Sequence, residues 1–364
     1  MKVFWDSYGL DKARSGIGVY GLEIYRKLVQ SEIRPTVIGA HSGSLDQIYQ
    51  FASFNSCRVA RKIKLLVPYD IERILANAVL RSEKTVFHGL SNFNVPRAEK
   101  LPGLKIVVTV HDFIPFKFPH SVSRLYQLQM MKLIPQALEN AHAIICVSPT
   151  TLRDLQLLFP QYSAKAVVIP NGVRRPEVAN NGATKVAKRN SILTVSRGEA
   201  YKNLRLIPQI LQKLPENIIW TLVTDHQTGL DMAVNNAELQ AAKRLVIKTS
   251  LDADELQKAY QEAELHVSLS DYEGFGFPIV ESLLAGAKTA ILGSVGVANY
   301  LPESLYYDLS PCRDDVTQLA QKICEILATE HSDAQRKQLK IKADQCIPTW
   351  EGAANNLISL YNSL

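Results

Sequence analysis

Short apolar runs alternate along this chain with longer stretches whose apolar positions recur every three or four residues. The runs Lys2–Trp5, Thr36–Gly39, Thr85–His88, Ile106–Val110, Ala143–Val147 and Ala166–Ile169 predict strands. Helical spacing appears in Val19–Gln30, Asp70–Arg81, Val122–Asn140 and Thr150–Phe159. The second half repeats the rhythm, with strands expected at Ser191–Ser196, Ile218–Thr224, Leu245–Lys248, Leu265–Leu269 and Lys288–Ile291. Its helices are expected at Asn203–Leu214, Ala253–Ala263, Ile279–Ala285 and Asp314–Leu327. Strand–helix alternation of this kind gives parallel sheets covered by helices on both faces. The fold class is therefore α/β, with two Rossmann-like doubly wound domains facing across a cleft.

At 364 residues the chain exceeds one ordinary core, which also argues for two domains. Residues 173–190 are polar and turn-rich with little periodicity, as a linker is. The domains expected are 1–172 and 191–345, with 346–364 as a closing segment. In doubly wound domains ligands bind beyond the carboxyl ends of the strands, so chemistry should sit just after strands.

Composition narrows the class. Hydrophobic residues make up 46% of the chain, as in folded globular proteins. No apolar run approaches the roughly 20 residues of a membrane span, and no signal-peptide layout opens the chain. Cys57, Cys146, Cys312, Cys324 and Cys346 are odd in number and scattered, which fits reduced thiols in the cytoplasm rather than a metal site. Charge is uneven: residues 1–172 carry 21 Lys and Arg against 12 Asp and Glu, whereas the remainder carries 20 against 23. A basic first half suggests an anionic partner there, such as a phosphate-bearing acceptor or a membrane surface touched peripherally. Its sharpest cluster runs from Arg58 through Arg61, Lys62 and Lys64 to Arg81 with apolar residues at helical spacing. No aromatic-interleaved basic motif marks a nucleic-acid partner.

Four strand ends carry candidate chemistry. After Trp5-Asp6 comes Ser15-Gly16-Ile17-Gly18, where two glycines let a ligand approach the backbone. Its spacing departs from a full dinucleotide fingerprint. Ile106–Val110 ends in His111-Asp112, a titratable pair; a lone histidine at a strand end is also a common structural feature. Ile192–Val195 leads to Ser196-Arg197-Gly198 and then Lys202-Asn203, and two cations entering one crevice suit a diphosphate. Leu265–Leu269 leads to Glu273-Gly274-Phe275-Gly276-Phe277-Pro278, with Glu281 eight residues beyond Glu273 and one turn into a helix. A glycine turn at a helix start offers amides to an anion. Glu281 itself suits acceptance of hydrogen bonds from hydroxyls. The plain alternative is an ordinary strand-to-helix turn with solvated carboxylates.

In this order the motifs resemble the retaining glycosyltransferases of family 4, which have the GT-B fold. The likeness spans nearly the whole chain. It includes Ser15–Gly18, Val110-His111-Asp112, Cys146-Val147-Ser148, Val168–Val173, Ser196-Arg197-Gly198 with Lys202-Asn203, and Glu273 to Glu281. Trp350-Glu351 resembles the closing element that returns to the N-terminal domain. The resemblance implies a nucleoside-diphosphate sugar donor held by the C-terminal domain and a glycan or polyprenyl-linked acceptor on the N-terminal side. Catalytic roles would fall to His111, Arg197, Lys202 and Glu273. The donor would be bound by Gly16, Gly18, Arg197, Lys202, Gly274, Phe275, Gly276, Phe277, Pro278 and Glu281. No metal and no cofactor are implied. The stretch His111 to Pro119 looks most like mannosyl-type members acting on bacterial surface polysaccharide, so GDP-mannose is the favoured donor. The segments at 222–226, 248–254 and 293–296 depart from the family pattern and leave the base undefined. Two other readings stay open: a non-catalytic sugar-nucleotide-binding subunit, or a sugar-nucleotide epimerase on the same architecture.

Overall fold

The protein was analysed as a computed structural model that describes residues 1–8, 10, 15–31, 33–38, 50–52, 71–72, 75–76, 84–175 and 190–364. The expected linker lies outside the described residues from 176 to 189, as does the basic stretch 58–81 apart from four positions. The chain divides into two compact units, Met1–Gly172 with Pro348–Leu364, and Val173–Ile347.

In the first unit the described strands are β1 (Lys2–Asp6), β2 (Thr36–Ile38), β3 (Gln50–Ala52), β4 (Thr85–Gly89), β5 (Leu104–Val110), β6 (Ala143–Cys146) and β7 (Ala166–Val168). They form one parallel sheet in the order β3-β2-β1-β4-β5-β6-β7. β4 and β6 are buried along their whole length, and β5 at all but one residue, because helices cover both faces of such a sheet. Helix Gly16–Gln30 starts where the Ser15 hydroxyl accepts the Gly18 amide, and Pro149–Leu158 starts at Ser148 in the same way. The closing helix Trp350–Ser363 begins at the Thr349 cap. Its Tyr361 is buried with Trp5 of β1, whose indole N–H donates to the Tyr361 hydroxyl at 3.2 Å. Gly172 touches the start of this helix so closely that a Cβ there would fall 2.1 Å from the Trp350 amide nitrogen.

The second unit has β8 (Ser191–Val195), β9 (Ile219–Thr224), β10 (Leu245–Thr249), β11 (Leu265–Ser268), β12 (Tyr272–Glu273), β13 (Lys288–Ile291), β14 (Ser294–Val295) and β15 (Tyr307–Asp308). Its main sheet runs β10-β9-β8-β11-β13-β15, again parallel, and β12 pairs with β14 in a separate two-stranded piece. Ile207, Ile210, Leu222, Val267, Leu319 and Ile323 are among its buried core.

Two α/β units with doubly wound parallel sheets are thus present, and the eleven strands that were expected fall within one or two residues of their bounds, whereas β3, β12, β14 and β15 were not expected. Helix Asn203–Leu214 is the main correction. Its regular part is Leu206–Leu211, because a short 3₁₀ turn over Ala200–Lys202 ends at Asn203 in the left-handed region, with φ of 53°. Helices His226–Asn235 and Asp333–Cys346 were not expected; the latter buries only Arg336 and Ala343, so its apolar stripe is faint.

Candidate functional site

In the first unit, His111 follows β5 and is held twice. Its amide donates to Asn92 Oδ1 at 2.8 Å, and its Nε2 lies 2.8 Å from the Leu90 carbonyl. A carbonyl only accepts, so Nε2 carries the proton and Nδ1 presents a lone pair. Burial pushes the imidazole down to about 4, partly opposed by the Leu90 bond, so the ring is neutral at physiological pH. Tyr20 meets this ring edge-on, with centroids 5.2 Å apart. His111 is therefore a fixed neutral acceptor. Asp112 turns its Oδ1 to the Ile114 amide at 3.1 Å.

Sequence reasoning missed Asp6, which fixes the turn of residues 90–94 that hydrogen-bonds to His111. At the end of β1 its buried carboxyl accepts the Leu90 amide at 2.5 Å, the Asn94 amide group at 3.1 Å and the Ser91 hydroxyl at 3.3 Å. Burial outweighs these bonds and raises its pKa to about 7. The only sequence signal was an acid ending a strand. Gly16 opens its helix exposed, whereas Gly18 is buried with its amide taken by Ser15 Oγ at 3.1 Å. That amide is engaged in capping the helix.

In the second unit the structure brings Lys202 and Glu273 together. Lys202 Nζ donates to Glu273 Oε1 at 2.5 Å, and Ser270 Oγ donates to the same oxygen at 2.8 Å. These side chains retain 12% and 20% exposure, so the pair is largely but not wholly removed from water. The ammonium also lies 4.8 Å from the Tyr201 ring centroid, a cation–π contact. The left-handed Asn203 anchors this turn: its side-chain amide donates to the Leu269 carbonyl at 3.1 Å.

Arg197 follows β8 by two residues. It is exposed and lines an open depression of about 520 Å³ with Gly198, Glu199, Asp225 and Thr228. Gly198 is needed there, since a Cβ would stand 2.2 Å from Thr228 Oγ1. Lys202 is thus paired with an acid, while Arg197 has no ion pair among the described residues. The expected pair of like cations is, in this structure, one cation in an ion pair and one on an open rim.

The glycine turn is built as the motif predicts. Gly276 takes φ of +99° and caps helix Phe277–Ala285, with Pro278 in its first turn and no side chain capping the end. A Cβ on Gly276 would also strike Val295 Cγ1 at 2.6 Å. Gly274 is half-buried; Phe275 is buried and its ring stands 5.1 Å from that of Phe277. Glu281 lies one turn into the helix, where the buried Tyr260 hydroxyl donates to its Oε2 at 2.9 Å. Desolvation raises the Glu281 carboxyl, with the Tyr260 bond and the Arg174 charge pulling it back. Behind Tyr260 stands His266, fully buried, with neither ring nitrogen partnered among the described residues and its pKa pushed to about 3.

The chain also contains an Asp-x-Asp triplet, Asp252-Ala253-Asp254, which the expectation of a metal-free site had passed over. Asp252 caps helix Ala253–Glu262 in a reciprocal box with Glu255: the Glu255 amide donates to Asp252 Oδ1 at 2.8 Å, and the Asp252 amide to Glu255 Oε2 at 2.9 Å. Among the described residues no group of three or more His, Cys, Asp or Glu is placed to hold a metal ion.

With this geometry in place, comparison with known proteins identifies the chain. Residues 14–175 match the profile described as Glycosyltransferase Family 4, and residues 178–345 match Glycosyl transferases group 1. The chain belongs to these glycosyltransferases. It is 22% identical over its whole length to the O-antigen chain mannosyltransferase B of Escherichia coli, and covers all of that protein. Among solved structures it resembles a sucrose-phosphate synthase from Thermosynechococcus elongatus, with TM-score 0.75 and 17% identity, covering 100% of this chain and 98% of that one. It also resembles Anabaena HepE, solved in complex with UDP-glucose, with TM-score 0.71, 15% identity and full coverage of both chains. These likenesses agree with a two-domain, Rossmann-like GT-B fold.

Proposed function

We propose that this member of the family 4 and group 1 glycosyltransferases is a retaining enzyme that moves mannose from GDP-mannose to a glycan or polyprenyl-linked acceptor in bacterial surface polysaccharide synthesis. The observation that carries this reading is the Lys202–Glu273 pair beside the Gly276 turn. The mannosyltransferase name of the Escherichia coli relative favours the sugar.

The chemistry needed is departure of a nucleoside diphosphate from an anomeric carbon, and its chief demand is stabilisation of the charge growing on the leaving phosphate. Lys202 is poised for that exchange. A phosphate oxygen takes the place of Glu273 on the ammonium, and the released Glu273 carboxylate accepts hydroxyls of the sugar. Arg197 supplies a second cation from its open rim, and the turn at Gly274–Phe277 supplies dipole and amide contacts to the anion. Glu281, held by Tyr260, accepts the ribose hydroxyls. His111, with its bare Nδ1, accepts a hydroxyl of the transferred sugar near the reacting face. Retention follows from same-face attack, in which the departing phosphate takes the acceptor proton. In this reading the fixed cations fill the place of a metal ion.

The experiment is a thermal-shift panel of nucleoside diphosphates, followed by assay of the released nucleotide with the matching sugar donor. A diphosphate at about a hundred times its Kd adds about 2.7 kcal/mol of stability, a clear rise in Tm. GDP is expected to give that rise and UDP none. A response to UDP alone would replace mannose by a glucose-type donor, in line with the UDP-glucose bound by Anabaena HepE. Donor binding without release of nucleotide in the presence of acceptor would reject transfer.

A further inference from the structure

Lys202 is held from two sides. Its Nζ donates to Glu273 Oε1 at 2.5 Å and lies 4.8 Å from the centroid of the Tyr201 ring. Ser270 Oγ donates to the same carboxylate oxygen at 2.8 Å, so both bonds fall on Oε1. The backbone keeps the partners within reach of each other: Asn203 anchors the lysine's turn to the Leu269 carbonyl, and β12 pairs Glu273 with Val295 of β14. Ammonium and carboxylate therefore cancel in a place largely removed from water, where charges act more strongly than in bulk solvent. An anion that takes Nζ must displace Glu273 or lie beside it.

We propose that Glu273, by competing for Lys202, makes this site prefer a sugar-bearing diphosphate to the free nucleoside diphosphate that transfer leaves behind. The inference rests on the reading of Lys202 as the diphosphate's cation and of Glu273 as an acceptor of sugar hydroxyls. Both ligands disturb the ion pair. Only the sugar compensates, because its hydroxyls donate charge-assisted hydrogen bonds to the freed carboxylate. The free diphosphate brings no such donor to the pair. Its terminal phosphate also ionises a second time near pH 6, as phosphate monoesters do, whereas the sugar diester has no such proton to lose. The product thus meets the Glu273 carboxylate with one more negative charge, and like charges at that range repel appreciably. The pair that yields to substrate resists product and favours its departure.

The test is titration calorimetry with GDP and with GDP-mannose, without acceptor, on wild type, Glu273→Gln, Glu273→Asp and Lys202→Ala. UDP and UDP-glucose take their place if GDP gives no thermal shift. Wild type should bind the sugar nucleotide at least about tenfold more tightly than the free diphosphate. Glu273→Gln keeps the shape and deletes the charge, so its affinity for GDP should rise by about tenfold while that for GDP-mannose does not, and the preference disappears. Glu273→Asp keeps the charge and should bind GDP much as wild type does. A wild type that binds both ligands equally, which needs no variant to observe, would overturn the proposal. So would Glu273→Gln tightening neither ligand or both alike, or Glu273→Asp tightening GDP as the amide does. In those cases a loss of GDP affinity in Lys202→Ala would leave the diphosphate reading standing. Lys202→Ala binding both ligands as wild type does would overturn the two together.

Discussion

β4 and β11 hold matching places in their two sheets, each paired with the strand that comes first along the chain in its unit, β1 or β8. Each carries one buried histidine: His88 opposite Trp5, and His266 opposite Leu193. Burial holds both neutral, each pushed down to about 3. There the likeness ends. His88 lies 2.6 Å from the Tyr361 hydroxyl and 2.7 Å from Thr109 Oγ1, and the chain continues to Trp5 on one side and Tyr20 on the other. Its two nitrogens tie the central sheet to the closing helix. His266 has neither nitrogen partnered among the described residues, because its neighbour Tyr260 turns its hydroxyl to Glu281 instead. Around His88 buried polar groups satisfy one another and build architecture. Beside His266 the polar neighbour Tyr260 serves a carboxylate that the proposed donor would use.

If that division of labour holds, charge removal at the second unit's site should cost activity and little stability. Lys202→Ala is expected to lower kcat/KM by about 10² to 10³, the usual cost of one preorganised group at a developing anion. Its Tm should move by only a few degrees, since Glu273 keeps the Ser270 hydroxyl and a fifth of its side-chain surface in water. A variant that keeps kcat/KM within threefold of wild type would remove Lys202 from the chemistry. A collapse of Tm would make the Lys202–Glu273 pair architectural and erase the contrast.

The two histidines give the next test. His88→Phe leaves Tyr361 with only Trp5 and Thr109 with only Tyr20 in a dry environment, and should cost about 2–4 kcal/mol by denaturant unfolding. His266→Leu removes two unsatisfied nitrogens and should be neutral within about 1 kcal/mol, or stabilising. Equal losses would show that His266 has a partner of equal worth. Acid sharpens the comparison. An unfolded histidine binds its proton near pH 6.5, and these folded ones only near 3, so the unfolded state holds more protons in between. Stability therefore falls as pH drops through that window, by about 1.4 kcal/mol per pH unit for each histidine. Asp6, raised to about 7, acts in the opposite sense: it is protonated in the folded state first and offsets part of the loss between about pH 7 and 4. Each histidine variant should lower the acid slope by one proton relative to wild type, with the Asp6 contribution common to all. An unchanged slope would mean that the ring is already charged when folded.

What the sequence could and could not show follows from distance along the chain. β5 was legible at Ile106–Val110 because a short run of β-branched residues, four of the five apolar, suits a strand covered on both faces. The Gly276 turn was legible because glycine, proline and helix period signal it locally. Lys202, Glu273, Glu281 and His111 were named from strand ends, but their partners were not. Lys202 and Glu273 are 71 residues apart, Tyr260 and Glu281 are 21, and His88 and Tyr361 are 273. No periodicity reports a pairing across such separations. That Lys202 would pair with Glu273, an acid from the distant strand β12, was hidden for the same reason. The two-residue strands β12 and β14 are too short to leave any pattern.

The smallest expected effect bears most directly on the contrast. Tyr260→Phe deletes one hydroxyl and keeps the ring that packs edge-on to His266. The lost bond is worth about 1–1.5 kcal/mol when it orients a carboxylate, which is about five- to tenfold in donor affinity. The rise should appear in KM for the nucleotide sugar with kcat nearly unchanged, because ribose contacts are made equally in ground and transition states. In a Glu281→Gln background the same substitution should change affinity much less, since the hydroxyl acts through that carboxylate. A merely structural Tyr260 would instead lower Tm and leave both KM values alone. It would then stand beside His88 rather than opposite to it, and the second sheet's polar groups would be no more reserved for a ligand than those of the first.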